Sequence, residues 1–200
     1  MSLPLALARI DQIERALVPQ PAATSTNSPV AGPTAAAQIA GAASTAGPSF
    51  ASLLGNAGGS PMATIAAAEV GQAEQPPGSN DSPRIAQYRT ATAGSGVGPW
   101  CAYFVSWVAR QAGTPLGDHG EGFGSVDQLY AWAQRTGRAV PNAPGVVPRP
   151  GDLVVWDEHI GIVEQVLPGG RIQTLEGNSS DRVSRNLHES SDALGFVRMS

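Results

Sequence analysis

Residues 151–178 read GDLVVWDEHIGIVEQVLPGGRIQTLEGN, and their hydrophobic period is two. LVVW (153–156), HIGIVEQVL (159–167) and RIQTLEGN (171–178) have the length and β-branched content of strands. A polar pair and a PGG turn separate them, so they read as successive antiparallel strands, with LGFVRM (194–199) as a last one. Upstream the period is helical. MATIAAAEVGQ (62–72) suits a helix ended by Gly71, and a short piece surrounds Ile85 and Tyr88 after the turn-rich EQPPGSNDSPR (74–84). WCAYFVSWVARQAG (100–113) is apolar nearly all round, which marks a buried helix. Ser125-Val-Asp-Gln128 matches the capping box that opens a helix, here one running through SVDQLYAWAQRTG to Gly137. Helices followed by an antiparallel sheet give the class α+β.

Outward from this core the composition changes. The first charged residue after Arg15 is Glu69, and residues 19–61 are almost entirely Ala, Gly, Pro, Ser and Thr. Such a segment cannot bury enough apolar surface to offset its ordering entropy, so a disordered linker is expected there. Its one apolar island, SFASLL (49–54), reads as a chance cluster rather than a docking motif. All four Trp lie at or beyond residue 100, which puts the folded domain at 62–200. At the start, Leu3, Leu7, Ile10, Ile13 and Leu17 fall at helical spacing, so residues 1–18 read as a short amphipathic helix. No basic residue precedes this run, and it is not read as a Sec signal peptide. The net charge of −4, with 12 Arg and no Lys, argues against a nucleic-acid partner. No stretch reaches the roughly 18 apolar residues of a membrane span. A single Cys excludes a disulfide framework and a Cys-rich zinc site.

That one thiol, Cys101, has a plain explanation as a small buried hydrophobe, because Val105, Val108 and Ala112 share its helical face. It also sits in the first turn of a helix after a Gly-rich loop, where unpaired N–H groups and the helix dipole favour a thiolate. The same N–H groups can stabilise an oxyanion on an attacked carbonyl. A thiol nucleophile needs a base. His119, in GDHGEGFG (117–124), and His188, in a polar stretch, read as solvated surface groups. His159 opens an apolar strand, where a rigid backbone can hold an imidazole for proton transfer. Gly161, two residues on, is expected to leave space above the sheet for a substrate.

The base must itself be oriented, and Glu176 and Asn178 stand two apart near the end of the next strand. If the Gly169-Gly170 turn is an even loop, Leu167 lies opposite Ile172, and odd positions face even ones. His159, Glu176 and Asn178 then share a face, whereas a one-residue slip puts the acid and amide behind the sheet. Gly94-Ser-Gly96-Val-Gly98 follows no strand and lacks a P-loop lysine, so it reads as the approach to the helix. There is no G-x-S-x-G elbow of a serine hydrolase. Trp100, beside Cys101, is either core or a cleft wall.

WCAYFVSWVARQAG, then RPGDLVVW, then H-x-G-I-V-E and finally LEGN resembles the CHAP domain, the cysteine, histidine-dependent amidohydrolase/peptidase of the papain-like cell-wall hydrolases. With AAAEVGQAEQPPGSN upstream, the resemblance spans about residues 62–200. It implies a papain-like CHAP fold with Cys101 as nucleophile, His159 as base, Glu176 as orienting acid and Asn178 as nearby amide. Tyr88 and Asn80 are candidates for a second oxyanion donor. It also implies peptidoglycan as the partner, cleaved as an N-acetylmuramoyl-L-alanine amidase or as an endopeptidase of the stem or cross-bridge peptide. No cofactor and no metal is expected; GSNDSPR holds one Asp where some relatives carry an acidic calcium loop. Two rivals stand beside this reading: a non-catalytic wall-binding or assembly module, and a soluble amidase for a small conjugate. Peptidoglycan implies a cell-envelope or extracellular place reached by a non-Sec route, with the N-terminal segment as the handle for an export or envelope-assembly partner. The other route is that of a phage-type lysin, cytoplasmic until released.

Overall fold

The computed structural model describes residues 59–199. The amphipathic helix read at 1–18, the SFASLL island and nearly all of the linker read at 19–61 lie outside these residues. Among the described residues there are four helices: α1 (Pro61–Ala68), α2 (Pro83–Arg89), α3 (Cys101–Gln111) and α4 (Val126–Arg135). Six strands follow: β1 (Ala139–Pro141), β2 (Leu153–Trp156), β3 (His159–Val166), β4 (Arg171–Glu176), β5 (Ser184–Glu189) and β6 (Gly195–Val197). They form one antiparallel sheet in the order β1-β6-β2-β3-β4-β5, and the fold is α+β. None of these helices is long and apolar enough to cross a membrane.

Two helix starts, those of α2 and α4, are capped by a serine side chain. Ser82 accepts a hydrogen bond from the N–H of Ile85 at 3.2 Å, and Pro83 supplies the fixed φ of a first helical residue. Ser125 accepts from the N–H of Gln128 in the same way at the head of α4. Helix α3 has no side-chain cap; its first residue is Cys101. Ala102, Phe104, Val105, Val108 and Ala109 of this helix are all buried, as its all-round apolar sequence requires.

The sheet separates two layers of apolar side chains. Leu153, Val155, Ile160, Ile162, Leu175 and Val197 join the main core with the helices. Val154, Val163, Ile172 and Phe196 form a smaller cluster on the opposite face, with Val146 and Ala193 packed on it. Strands β1 and β5 were not legible in the sequence. β1 is only three residues long, and β5 reads SRNLHE, with one apolar residue and no alternation to detect.

The β3–β4 hairpin reaches the expected parity by a different route. Its turn is a three-residue one, Pro168–Gly170, with Gly169 and Gly170 at positive φ, and Val166 pairs with Ile172. Like would then face like, and Glu176 would lie behind the sheet from His159. A bulge between Val163 and Gln165 adds one residue to β3 and restores the odd-to-even pairing, Val163 with Thr174 and Ile162 with Leu175.

Candidate active site

Cys101 begins α3, His159 begins β3 and Glu176 ends β4. Residues 58 positions apart are brought together because the head of α3 meets the sheet where these two strand ends lie. The Sγ of Cys101 lies 4.0 Å from the carbonyl oxygen of Glu158, the residue that precedes His159. Nε2 of His159 is 2.9 Å from Oε2 of Glu176. A carboxylate only accepts, so Nε2 donates, and Nδ1 is the nitrogen left for the sulfur.

The charges reinforce one another. Burial works against the imidazolium of His159, but hydrogen bonds and charge from Cys101 and Glu176 outweigh it and raise its pKa to about 9. Burial likewise disfavours the Glu176 carboxylate, yet hydrogen bonds from His159, Thr174 and His188 bring its pKa down to about 2. The Glu176 side chain is 2% exposed, whereas that of His159 is 29% exposed, so the acid is sealed and the base can be reached. Cys101 is itself buried but lines an open cleft of about 400 Å³ with Ala102, Tyr103, Ser125, Asp127 and Glu158.

Several expectations need correction. Asn178 does not extend the face of β4. The strand stops at Glu176, and Asn178 adopts a left-handed φ of 59°, so strand alternation no longer sets its direction. His159 donates its hydrogen bond to Glu176. Gly161 does not open space for a substrate: a Cβ there would stand 2.7 Å from Cγ of Glu176, so the glycine makes room for the acid. Tyr88 is fully buried and donates to Glu69 at 2.6 Å, which removes it as an oxyanion donor. Trp100 is a core residue whose indole N–H donates to Glu74 at 3.0 Å.

His119 is exposed in its loop, in keeping with a surface group. His188 is not such a group. Its Nε2 lies 2.8 Å from Oε1 of Glu176, and its ring packs on Trp156 with centroids 4.6 Å apart. Thr174 donates its hydroxyl to the same carboxylate oxygen. Thr174 was within reach of the parity argument, being two residues before Glu176. Trp156 pairs directly with His159 across the β2–β3 hairpin and stacks on it at 5.8 Å. His188 carried no such signal, because the strand that holds it has no hydrophobic period.

A helix-borne thiol against a sheet-borne imidazole, itself held by a buried carboxylate, defines a cysteine–histidine site on an α+β scaffold. Residues 92–178, which include Cys101, His159 and Glu176, match the family model of the CHAP domain. The chain is also similar to a solved structure of the peptidoglycan hydrolase RipB from Mycobacterium tuberculosis, at 19% identity and a TM-score of 0.41. That similarity covers 70% of this chain and spans 63% of the length of the other. No curated protein matches the chain.

Proposed function

We propose that this chain hydrolyses an amide bond of peptidoglycan through Cys101. The observation that carries the reading is the hydrogen-bonded pair His159–Glu176, with Cys101 seated against the neighbouring Glu158 at the wall of an open cleft, all within the residues that match the CHAP model. The Cys101 thiolate attacks the amide carbonyl, and the carbonyl electrons move onto oxygen. The N–H of Cys101, at the head of α3 where the helix leaves its first amides unpaired, stabilises that oxyanion. The His159 imidazolium gives its proton to the departing amine, the C–N bond breaks, and a thioester to Cys101 remains. Neutral His159 then takes a proton from water, hydroxide adds to the thioester, and the acid product leaves with the thiol–imidazole pair restored. Glu176 takes no proton; it fixes the tautomer and offsets the charge on the ring.

The bond is either that between muramic acid and alanine or one within the peptide, and the fragments distinguish them. Digestion of purified peptidoglycan followed by mass spectrometry yields a new N-terminal alanine in the first case and other new termini in the second. Cys101→Ala should abolish the release of fragments while leaving the circular dichroism spectrum and melting temperature near those of the wild type. Hydrolysis at the wild-type rate by that variant overturns the reading. With this substrate the site of action is the cell envelope, and we propose the N-terminal segment as the handle for export or envelope assembly.

A further inference from the structure

The mechanism above uses one oxygen of Glu176, yet the fold spends a second imidazole on the other. His159 and His188 come from strands on either side of β4, and each presents Nε2 to a different oxygen of the same carboxylate, at 2.9 and 2.8 Å. Trp156 packs against both rings, 5.8 Å from one centroid and 4.6 Å from the other. The two imidazoles therefore share one carboxylate and one indole surface.

We infer that His188 is a positioning residue for this site: its Nε2–H anchors Oε1 of Glu176 so that Oε2 stays aimed at His159. The inference rests on the thiol–imidazole reading of the preceding subsection. A carboxylate with a single imidazole partner can rotate about its last bond, because that torsion is broad and roughly two-fold. Thr174 holds Oε1 too, but from the same strand as Glu176, with a hydroxyl that can turn to its other acceptor, the carbonyl of Asn186. His188 adds an anchor from the neighbouring strand β5, and its ring is braced by Trp156. With both oxygens occupied, the carboxylate has one orientation, and so has the tautomer of His159. The hydrogen bond of His188 within the site is to Glu176, so its influence on the thiol passes through Glu176 and His159.

Two substitutions separate the hydrogen bond from the packing. His188→Phe keeps a ring on Trp156 and removes the donor. His188→Gln places an amide N–H near the position of Nε2 and keeps the donor. The readout is the rate at which excess iodoacetamide alkylates Cys101 at pH 6, where an ordinary thiol is almost wholly protonated and only an imidazole-paired thiolate reacts. The expected result is a rate about fivefold below wild type for His188→Phe, the equivalent of one hydrogen bond, with His188→Gln within about twofold of wild type. Turnover on peptidoglycan should follow the same order, through kcat and not KM. Equal rates for all three proteins overturn the inference. So does an equal loss in both variants, which shows that the ring and not its N–H matters. A wild-type thiol that is inert at pH 6 overturns the proposed function instead, and this inference with it.

Discussion

At the residue scale the site turns on a carboxylate that remains charged although almost no water reaches it. Three hydrogen-bond donors, from His159, His188 and Thr174, stand in for the water that Glu176 has lost. Room for that carboxylate comes from an absent atom, the Cβ of Gly161. Gly161 has no positive φ, so its requirement is one of space and not of backbone freedom. Gly161→Ala should push the Glu176 side chain off its position, at a stability cost of about 1–3 kcal/mol from overpacking. Turnover should fall about tenfold or more, as expected when the group orienting a general base is displaced. Urea unfolding measures the first effect and peptidoglycan turnover the second; an alanine variant at wild-type values in both rules out the steric argument. The pairing of His159 with Glu176 and the place of Cys101 at a helix head were legible from residue type and position. His188 was misread because which way a side chain points from a strand without alternation is set by contacts distant in sequence.

Among the elements, α2 shows how short helices are held by their ends. Seven residues form too short a helix to persist alone, and Ser82 supplies the partner for an otherwise unpaired N–H. The helix then ties α1 to the core: Arg84 and Tyr88 both bond Glu69, and Tyr88 packs on Trp100, Phe104 and Trp107. Ser82→Ala should cost about 1 kcal/mol in urea unfolding, with turnover below the melting range unchanged because α2 does not line the cleft. A loss below a few tenths of that value would show that the cap is dispensable. The β3–β4 hairpin teaches a different lesson. Both strands and their turn were visible in the sequence, and the side-by-side placement of His159 and Glu176 was expected from an even loop. The turn has three residues, and a bulge at Glu164 restores the pairing. Glu164 is polar and takes part in an ion pair with Arg185 at 2.6 Å, so its composition gave no sign of the extra residue.

For the whole molecule, the coupled charges of the site make stability depend on pH in a definite sense. The His159 pKa is raised in the folded state to about 9 from 6.5. Its stabilising contribution is therefore complete below about 6.5 and is lost as the pH rises through 9. The Glu176 pKa is lowered to about 2 from 4.5. Its contribution is complete above about 4.5 and is lost as the pH falls through 2. Wild type should exceed Glu176→Gln in unfolding free energy by about 1–3 kcal/mol between pH 4.5 and 6.5, and the gap should narrow on both sides. Urea titrations from pH 3 to 9.5 test this, and a gap that is flat or widens toward either extreme contradicts the charged pair. The sequence by itself determined the helices α1, α3 and α4, the strands β2, β3, β4 and β6, the α+β class and the thiol at a helix head, because these follow from periodicity, capping and glycine placement within short windows. Only the tertiary structure decided which acid oxygen meets which imidazole, that a glycine serves the acid, and that a second histidine joins it. Those outcomes depend on register and on close packing between segments far apart in the chain, where one inserted residue exchanges the two faces of a strand.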